Sequence, residues 1–171
     1  MSLSMVKAYF RRFGMEERVM EFPVSSATVE LAAQALQCRP ERIAKTLSFW
    51  VVEQPVLIVT AGDARIDNPK FKAFFHTKAR MLEPAAVEER VGHGVGGVCP
   101  FAVREGVAVY LDRSLQRFET VFPACGSANS AIELTLPELE RYANSLGWVD
   151  LCKNWQPPDL QASDAGAKDR E

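Results

Sequence analysis

Histidine is almost absent from this 171-residue sequence, which has only His76 and His93. So few imidazoles exclude a metal site built on several histidines. The cysteines are also few and widely spaced, and no two of them form a C-x-x-C pair: Cys38, Cys99, Cys125 and Cys152. Such spacing indicates neither a zinc site nor a thioredoxin-like motif, and it favours reduced thiols. We therefore expect no metal and no cofactor.

Long apolar runs and excess positive charge are absent as well. No apolar stretch approaches the ~20 residues of a membrane span, and no cationic segment precedes a signal-peptide core. The net charge of −2 excludes the global basic field of sequence-independent nucleic-acid binders. We therefore expect a cytoplasmic protein without a membrane partner, and any contact with RNA must be local.

The composition, with 47% hydrophobic and 25% charged residues, is typical of one soluble globular domain. Residues 1–4 precede a second methionine, and we interpret them as an added leader outside the fold. From residue 156 onwards the sequence becomes polar and small and includes Pro157-Pro158, which predicts a disordered tail over 156–171. The domain is thus expected to span residues 5–155.

Three segments are predicted as the main strands, because they are rich in β-branched and aromatic residues: 43–52, 56–61 and 107–112. Helices are predicted over 6–13, 28–36, 68–75, 84–91 and 137–145, and shorter strands over 19–22, 80–82, 120–122 and 131–134. Ser26 or Thr28 is expected to cap the second helix and Asn68 the third. The strands follow one another mostly in hairpin-like order, with helices between them. This order predicts a single α+β domain with a mixed, largely antiparallel sheet and flanking helices.

A glycine-rich loop is the most distinctive stretch of the sequence. Four of the ten glycines lie within residues 92–97, and Pro100 follows them. Glycine permits positive φ and close approach of a ligand, and proline restricts the backbone where the loop ends. The pattern predicts a shaped loop whose main-chain N–H groups are available to a carbonyl or phosphate oxygen. A tight connection between two elements remains the alternative.

Lys45 lies among large apolar side chains on the first main strand. Because side chains alternate along a strand, it shares one face with Ile43, Leu47, Phe49 and Val51. A lysine in such a row is costly unless its amine reaches solvent or binds a partner. Two interpretations are open: the amine reaches solvent at the start of the strand, or it projects into a cleft and binds an anionic or carbonyl-bearing ligand.

Three segments together resemble the YbaK/ProX family, the free-standing relatives of the editing domain of bacterial prolyl-tRNA synthetases. They are Ile43-Ala44-Lys45-Thr46-Leu47, Gly96-Gly97-Val98-Cys99-Pro100, and Ser130-Ala131-Ile132-Glu133-Leu134 with Pro137-Glu138-Leu139. The similarity extends over about residues 24–146. A strand lysine combined with a later G-x-x-x-P loop is specific as a pair, although either feature alone is weak.

The resemblance implies a trans-editing aminoacyl-tRNA deacylase that hydrolyses the ester of mischarged tRNA, typically proline tRNA carrying alanine or cysteine. Its implied partners are the tRNA acceptor end and, as a further candidate, prolyl-tRNA synthetase. By resemblance, Lys45 binds the aminoacylated end, and the G-x-x-x-P loop holds its carbonyl through main-chain donors. The implied catalytic residues are Lys45 and Gly97. The implied substrate-binding residues are Lys45, Thr46, Gly96, Gly97, Val98, Cys99 and Pro100, with Gly126 and Ser127 included for proximity alone.

Two other functions are compatible with these residues. One is a non-catalytic module that binds a nucleotide or aminoacyl-tRNA and associates with a synthetase. The other is a thiol hydrolase with Cys99 as the nucleophile and His93 as its base. Six basic residues are candidates for contact with the acceptor stem, although an ordinary solvated surface explains each of them equally well: Arg11, Arg12, Lys70, Lys72, Lys78 and Arg80.

Overall fold

Five helices and ten short or medium strands make up the fold of residues 2–155, which the computed structural model describes. In chain order they are α1 (Ser2–Arg11), β1 (Met20–Glu21), α2 (Val29–Leu36), β2 (Ile43–Val51), β3 (Gln54–Ala61), β4 (Arg65–Ile66), α3 (Asn68–Phe75), α4 (Pro84–Ala86), β5 (Ala108–Asp112), β6 (Thr120–Pro123), β7 (Ser130–Ala131), β8 (Leu134–Thr135), α5 (Leu136–Tyr142), β9 (Trp148–Val149) and β10 (Cys152–Lys153). Single turns of 3-10 helix lie at Glu16–Arg18, Pro40–Arg42 and Arg113–Arg117, and a π-helical turn follows α4 at Val87–Val91.

The β2–β3 hairpin is the centre of a six-stranded sheet with the order β8-β6-β2-β3-β5-β9. β2 and β3 pair antiparallel from Ala44–Ala61 to Val51–Gln54, and β6 and β8 are also antiparallel. The pairs β2–β6, β3–β5 and β5–β9 are parallel. Between β3 and β5, α3 and the following segments carry the chain back across the sheet, as a parallel pair requires. The antiparallel pairs β1–β7 and β4–β10 lie outside this sheet. The α+β class with a mixed sheet is thus confirmed.

The two faces of the hairpin belong to different apolar clusters. Ala44 and Leu57 belong to the main core, which also contains Phe10 of α1 and Phe101 after the glycine loop. Phe49 and its register partner Val56 belong to a second cluster, with Phe71 of α3. This alternation matches the predicted period of two along β2. Lys45 therefore lies in the row of residues that faces α3, as the sequence pattern indicated.

The first helix begins earlier than the sequence predicted. α1 starts at Ser2, and Leu3 packs against the main core to which Val6 and Phe10 belong. Residues 2–4 therefore belong to α1, whereas the interpretation of residues 1–4 as an added leader stays a prediction.

Other predicted boundaries also change. The expected strand over 80–82 is reduced to a single bridge between Phe49 and Met81. The expected strand over 131–134 is divided, since β7 pairs with β1 whereas β8 pairs with β6. The cap of α3 is Asp67 rather than Asn68, because Asp67 Oδ1 accepts a hydrogen bond from Lys70 N at 3.1 Å. The predicted disordered tail, 156–171, lies outside the described residues.

His93 connects the start of α1 to the glycine loop. Its ring is fully buried; Nε2 donates to Phe101 O at 2.8 Å, and Nδ1 accepts from the Ser2 hydroxyl. Both nitrogens are thus used by the neutral imidazole, and burial lowers the pKa of His93 below its usual value of 6.5. His93 is a structural residue in this arrangement.

We expect the free energy of unfolding to decrease as the pH falls through about 6.5, because the unfolded chain then binds a proton that buried His93 resists. His93→Gln should flatten this pH dependence between pH 7.5 and 5.5 in urea denaturation. His76→Gln, which changes the other histidine at an exposed position, should retain the wild-type slope. Equal slopes for wild type and His93→Gln would contradict the assignment.

Candidate functional site

The outer edge of β2 leaves one position of the sheet unpaired. On the side away from β3, β2 pairs with β6 at Ile43 and Ala44. Farther along the same edge, Ser48 O accepts from Leu82 N at 3.1 Å, and Trp50 N donates to Arg80 O at 2.8 Å. Because alternate residues of a strand direct their backbone groups to the same edge, the N–H and C=O of Thr46 face the gap between these two attachments.

A cavity of about 400 Å³ opens at this gap. Its walls come from β2, the start of α2, the segment 81–87, the glycine loop, and the chain around β6 and β7. Most of these walls are apolar. Within the described part of the chain, Lys45 is the only ionisable side chain that lines the cavity. Any chemistry carried out here therefore depends on one amine, on hydroxyls and on backbone groups.

The amine of Lys45 is half-buried and only partly used. Its Nζ donates to Gly62 O at 3.3 Å, and no carboxylate among residues 2–155 forms an ion pair with it. Burial, the largest influence, lowers the pKa of Lys45 below its usual 10.5. An ammonium has three donors, so donors remain for a ligand in the cavity.

The Gly62 carbonyl, which accepts the hydrogen bond from Lys45, lies in a closely packed segment. A Cβ on Gly62 would lie 2.1 Å from Pro40 O, so glycine is needed for this close approach. On one side of it, Ala61 N donates to Ser114 Oγ at 3.1 Å. On the other side, Asp63 accepts two hydrogen bonds from the Arg117 guanidinium, at 2.6 and 3.0 Å. These contacts position the Gly62 carbonyl that accepts the hydrogen bond from Lys45.

The glycine loop forms another wall through three of its residues, Val95, Gly96 and Val98. Gly96 lies in the left-handed region at φ +92°, and both Gly96 and Val98 line the cavity. Neither N–H has a hydrogen-bond partner among residues 2–155. Gly97 differs, because its N–H donates to Gly94 O at 3.1 Å within a turn. The N–H groups of Gly96 and Val98 are thus among the backbone donors that remain for a ligand on this wall.

Gly97 acts through packing. A Cβ at this position would lie 2.5 Å from Ser127 N and 2.6 Å from Gly126 C. The glycine loop therefore rests directly on the backbone of the 126–127 loop, and Gly126 in turn has φ +93°. The two loops that the sequence associated with the site are in contact, although Gly126 and Ser127 lie behind the cavity wall.

The structure brings together four of the predicted site residues. Lys45, Thr46, Gly96 and Val98 all line the cavity. The other predicted site residues do not line it: Gly97, Cys99, Pro100, Gly126 and Ser127. Of these, Pro100 lines a separate cavity of about 350 Å³ together with Tyr9 and Arg12.

Cys99 is fully buried behind the glycine loop. Its Sγ lies 3.5 Å from His93 Nε2 and 3.8 Å from Phe101 O. Burial raises the pKa of the Cys99 thiol to about 12, so the thiolate is strongly disfavoured. His93 Nε2 already donates to Phe101 O, which leaves it without a lone pair for the thiol proton. Cys99 and His93 are therefore buried neighbours in the core and do not form a nucleophile–base pair.

Sequence reasoning missed one wall of the cavity. Ser26, before α2, lines it although the sequence indicated only a helix cap there. The true cap is Thr28, whose Oγ1 accepts from Leu31 N at 3.1 Å. Val87 and Val95 also contribute. A Ser-rich stretch before a helix was the available signal, but it does not reveal which hydroxyl faces a cavity.

The basic residues proposed for the acceptor stem are mostly engaged elsewhere. Arg11 pairs with Glu16 at 2.7 Å and Lys70 with Asp150 at 3.0 Å. Cation–π contacts engage two more of the predicted residues: Arg12 with Tyr9 and Phe13, and Arg80 with Trp50. Lys72 and Lys78 are exposed. These six residues stay a prediction, and none of them lines the cavity.

Among residues 2–155, no three His, Cys, Asp or Glu side chains lie close enough together to hold a metal ion. No helix in that range has the length and apolar character needed to cross a bilayer.

We expect Gly97→Ala to lower the free energy of unfolding by about 1–3 kcal/mol, because its Cβ would meet the backbone of the 126–127 loop. Gly94→Ala is the matched control: nothing lies within 4 Å of its Cβ and its φ is not positive, so the change should stay within about 0.5 kcal/mol. Chemical denaturation measures both, and equal effects would show that the loop contact is unimportant.

Comparison with known proteins gives a consistent assignment. The aminoacyl-tRNA editing domain family matches residues 24–142. Protein YwhH of Bacillus subtilis (strain 168), described as uncharacterized, is 54% identical over 157 residues, which cover 91% of this chain and all of YwhH. The proline–tRNA ligase of Streptococcus equi subsp. equi (strain 4047) is 34% identical over 92 residues, which cover 52% of this chain and 15% of the ligase.

Solved structures agree with the sequence comparison. A crystal structure of a candidate trans-editing enzyme for prolyl-tRNA synthetase has a TM-score of 0.80 and 27% identity, and the alignment covers 89% of this chain and 97% of that one. The hypothetical protein APE2540 has a TM-score of 0.77 and 25% identity, with 87% and 99% covered. The matched residues 24–142 include the cavity walls from Ser26 to Ala131. The chain therefore belongs to the aminoacyl-tRNA editing domain family.

Proposed function

We propose that this protein is a trans-editing deacylase that hydrolyses the ester of mischarged proline tRNA in the cytoplasm. The observation that supports the proposal is one cavity lined by Lys45 and by Gly96 and Val98, whose N–H groups have no hydrogen-bond partner among residues 2–155. A cavity of about 400 Å³ limits the size of the acyl group that it can hold. The family resemblance names alanine and cysteine as the amino acids removed.

The chemistry that such a site supports is positioning and charge stabilisation. An aminoacyl ester is already activated, so water can attack its carbonyl carbon if the ester is held and the developing oxyanion is bound. The N–H groups of Gly96 and Val98 and the Lys45 amine are the donors proposed for that oxyanion. The ester C–O bond then breaks, which releases the free amino acid and the ribose hydroxyl of the tRNA.

Proton transfer has no side-chain base in this proposal. Among the described residues, no histidine, carboxylate or thiol lines the cavity. A water molecule or a ribose hydroxyl of the substrate would therefore carry the proton, as suits a reaction that depends on positioning. The acceptor end of tRNA is the proposed partner, and prolyl-tRNA synthetase is a second one.

A non-catalytic binding module is the second candidate function. The absence of a general base from the lining favours it, because the same cavity can hold an aminoacyl group without cleaving it. A hydrolase that depends on Cys99 has no such support, since the thiol is buried outside the cavity and its pKa is raised.

We expect Lys45→Ala and Lys45→Met to lower kcat/KM for alanyl-tRNA(Pro) at least ~100-fold, as loss of one oxyanion donor does in other hydrolases. Lys45→Met should keep a melting temperature close to that of the wild type, because it removes a partly desolvated amine and keeps an apolar stem of similar length. Release of free amino acid measures the rate, and Lys153→Ala, an exposed lysine outside the cavity, is the matched control.

Wild-type activity in Lys45→Ala would contradict the proposed role of the amine. Tight binding of the charged tRNA without release of amino acid would identify the binding module instead.

A further inference from the structure

Asp63 lies beside the acceptor of the Lys45 amine but is bound by an arginine. It directly follows Gly62, whose carbonyl accepts from Lys45 Nζ at 3.3 Å. Both of its carboxylate oxygens accept from Arg117, Oδ1 from Nη2 at 2.6 Å and Oδ2 from Nη1 at 3.0 Å. Such bidentate pairing between a guanidinium and a carboxylate adds strength and fixes the geometry. The Asp63 carboxylate is therefore directed to Arg117 rather than to Lys45.

Arg117 is held on several sides. Its Nε donates to Ser114 O at 2.9 Å, so each of the three guanidinium nitrogens has an acceptor. Its guanidinium carbon lies 5.0 Å from the ring centroid of Trp155 and 4.9 Å from that of Phe118. Only 10% of the side chain is exposed, and solvent screens such a covered charge weakly. Arg117 therefore keeps the Asp63 carboxylate in one position, although it lies outside the cavity.

The charge of Asp63 nevertheless reaches Lys45. Burial is the largest influence on the pKa of Lys45 and lowers it, whereas the Asp63 carboxylate acts in the opposite direction. Other titratable groups that influence this amine are Cys152, Arg65 and Glu30. Asp63 is the carboxylate next in sequence to the Lys45 acceptor, and a half-buried ammonium attracts such a charge strongly. Without the guanidinium of Arg117, the carboxylate and the amine would be free to pair.

We propose that Arg117 is a positioning residue of the deacylase, which keeps the Asp63 carboxylate away from Lys45 so that the amine remains available to the substrate. The inference rests on the proposed deacylase function and adds to it a residue outside the cavity. An amine paired with Asp63 has fewer donors for a developing oxyanion, and its charge is already compensated. Loss of Arg117 should therefore act on the rate through Lys45.

The first test compares Arg117→Met with the wild type on proline tRNA charged with alanine or with cysteine, whichever ester the wild type hydrolyses faster. Methionine keeps an apolar stem beside Trp155 and removes the guanidinium. We expect kcat to decrease at least ~10-fold and KM to change less than ~3-fold, because the amine acts on the transition state. Wild-type kcat in the folded variant would overturn the inference and leave the deacylase proposal intact. Hydrolysis of neither ester by the wild type would overturn both.

The second test removes the carboxylate from the same variant. When Arg117→Met is combined with Asp63→Asn, no charge remains at position 63 to capture the amine. Most of the lost kcat should return, since the contacts with Pro40 and Ser114 still hold the segment around Gly62. A double variant as slow as Arg117→Met, or slower, would show that Arg117 only supports the fold, and would overturn the inference.

Arg18→Met is the matched control, because Arg18 forms a bidentate pair with Glu138 at 2.9 and 3.1 Å and does not line the cavity. Its kcat should stay within ~3-fold of the wild type. If Arg117→Met does not fold, Arg117→Gln is the second variant, since its amide can still donate to one Asp63 oxygen. Its smaller loss of kcat should also be reversed by Asp63→Asn, and an unreversed loss would overturn the inference.

Discussion

The hydrogen bond from Lys45 Nζ to the carbonyl of Gly62 is the interaction on which the site depends. It holds a half-buried amine beside a cavity without pairing it to a carboxylate, so the amine stays available. The acceptor is fixed because Gly62 packs against the Pro40 carbonyl and the adjacent Asp63 is bound by Arg117. A flexible lysine thereby becomes a placed donor, which is the property that stabilisation of a developing charge requires.

The second requirement is an interruption in the sheet. β2 is paired with β6 at one end and attached to the segment 80–82 at the other, and the backbone of Thr46 lies between the two. Because the cavity lies at this edge, residues from both faces of β2 line it. Lys45 and Thr46 can therefore belong to the same site, although their side chains point to opposite faces of the strand. The glycine loop closes the opposite side with backbone donors.

Several of these features could be predicted from the sequence, and others could not. The predictable ones depend on local sequence, whereas the others depend on long-range contacts. The strand over 43–52 and the position of Lys45 within it follow from local composition and a period of two, which tertiary structure preserved. The gap at Thr46 depends on where β6 ends and where Leu82 attaches, and both are long-range contacts. The turn that uses the Gly97 N–H, and the burial of Cys99, likewise depend on packing against distant loops.

The central claim is that Lys45 and the glycine loop bind one acyl group from two sides. The most direct measurement is a crystal structure with a non-hydrolysable amide analogue of an aminoacyl-adenosine. The account predicts the acyl carbonyl in the cavity at the Thr46 gap, within hydrogen-bond distance of Lys45 Nζ and of the N–H of Gly96 or Val98. An analogue bound elsewhere, or bound in the cavity while Lys45 contacts only Gly62, would contradict it.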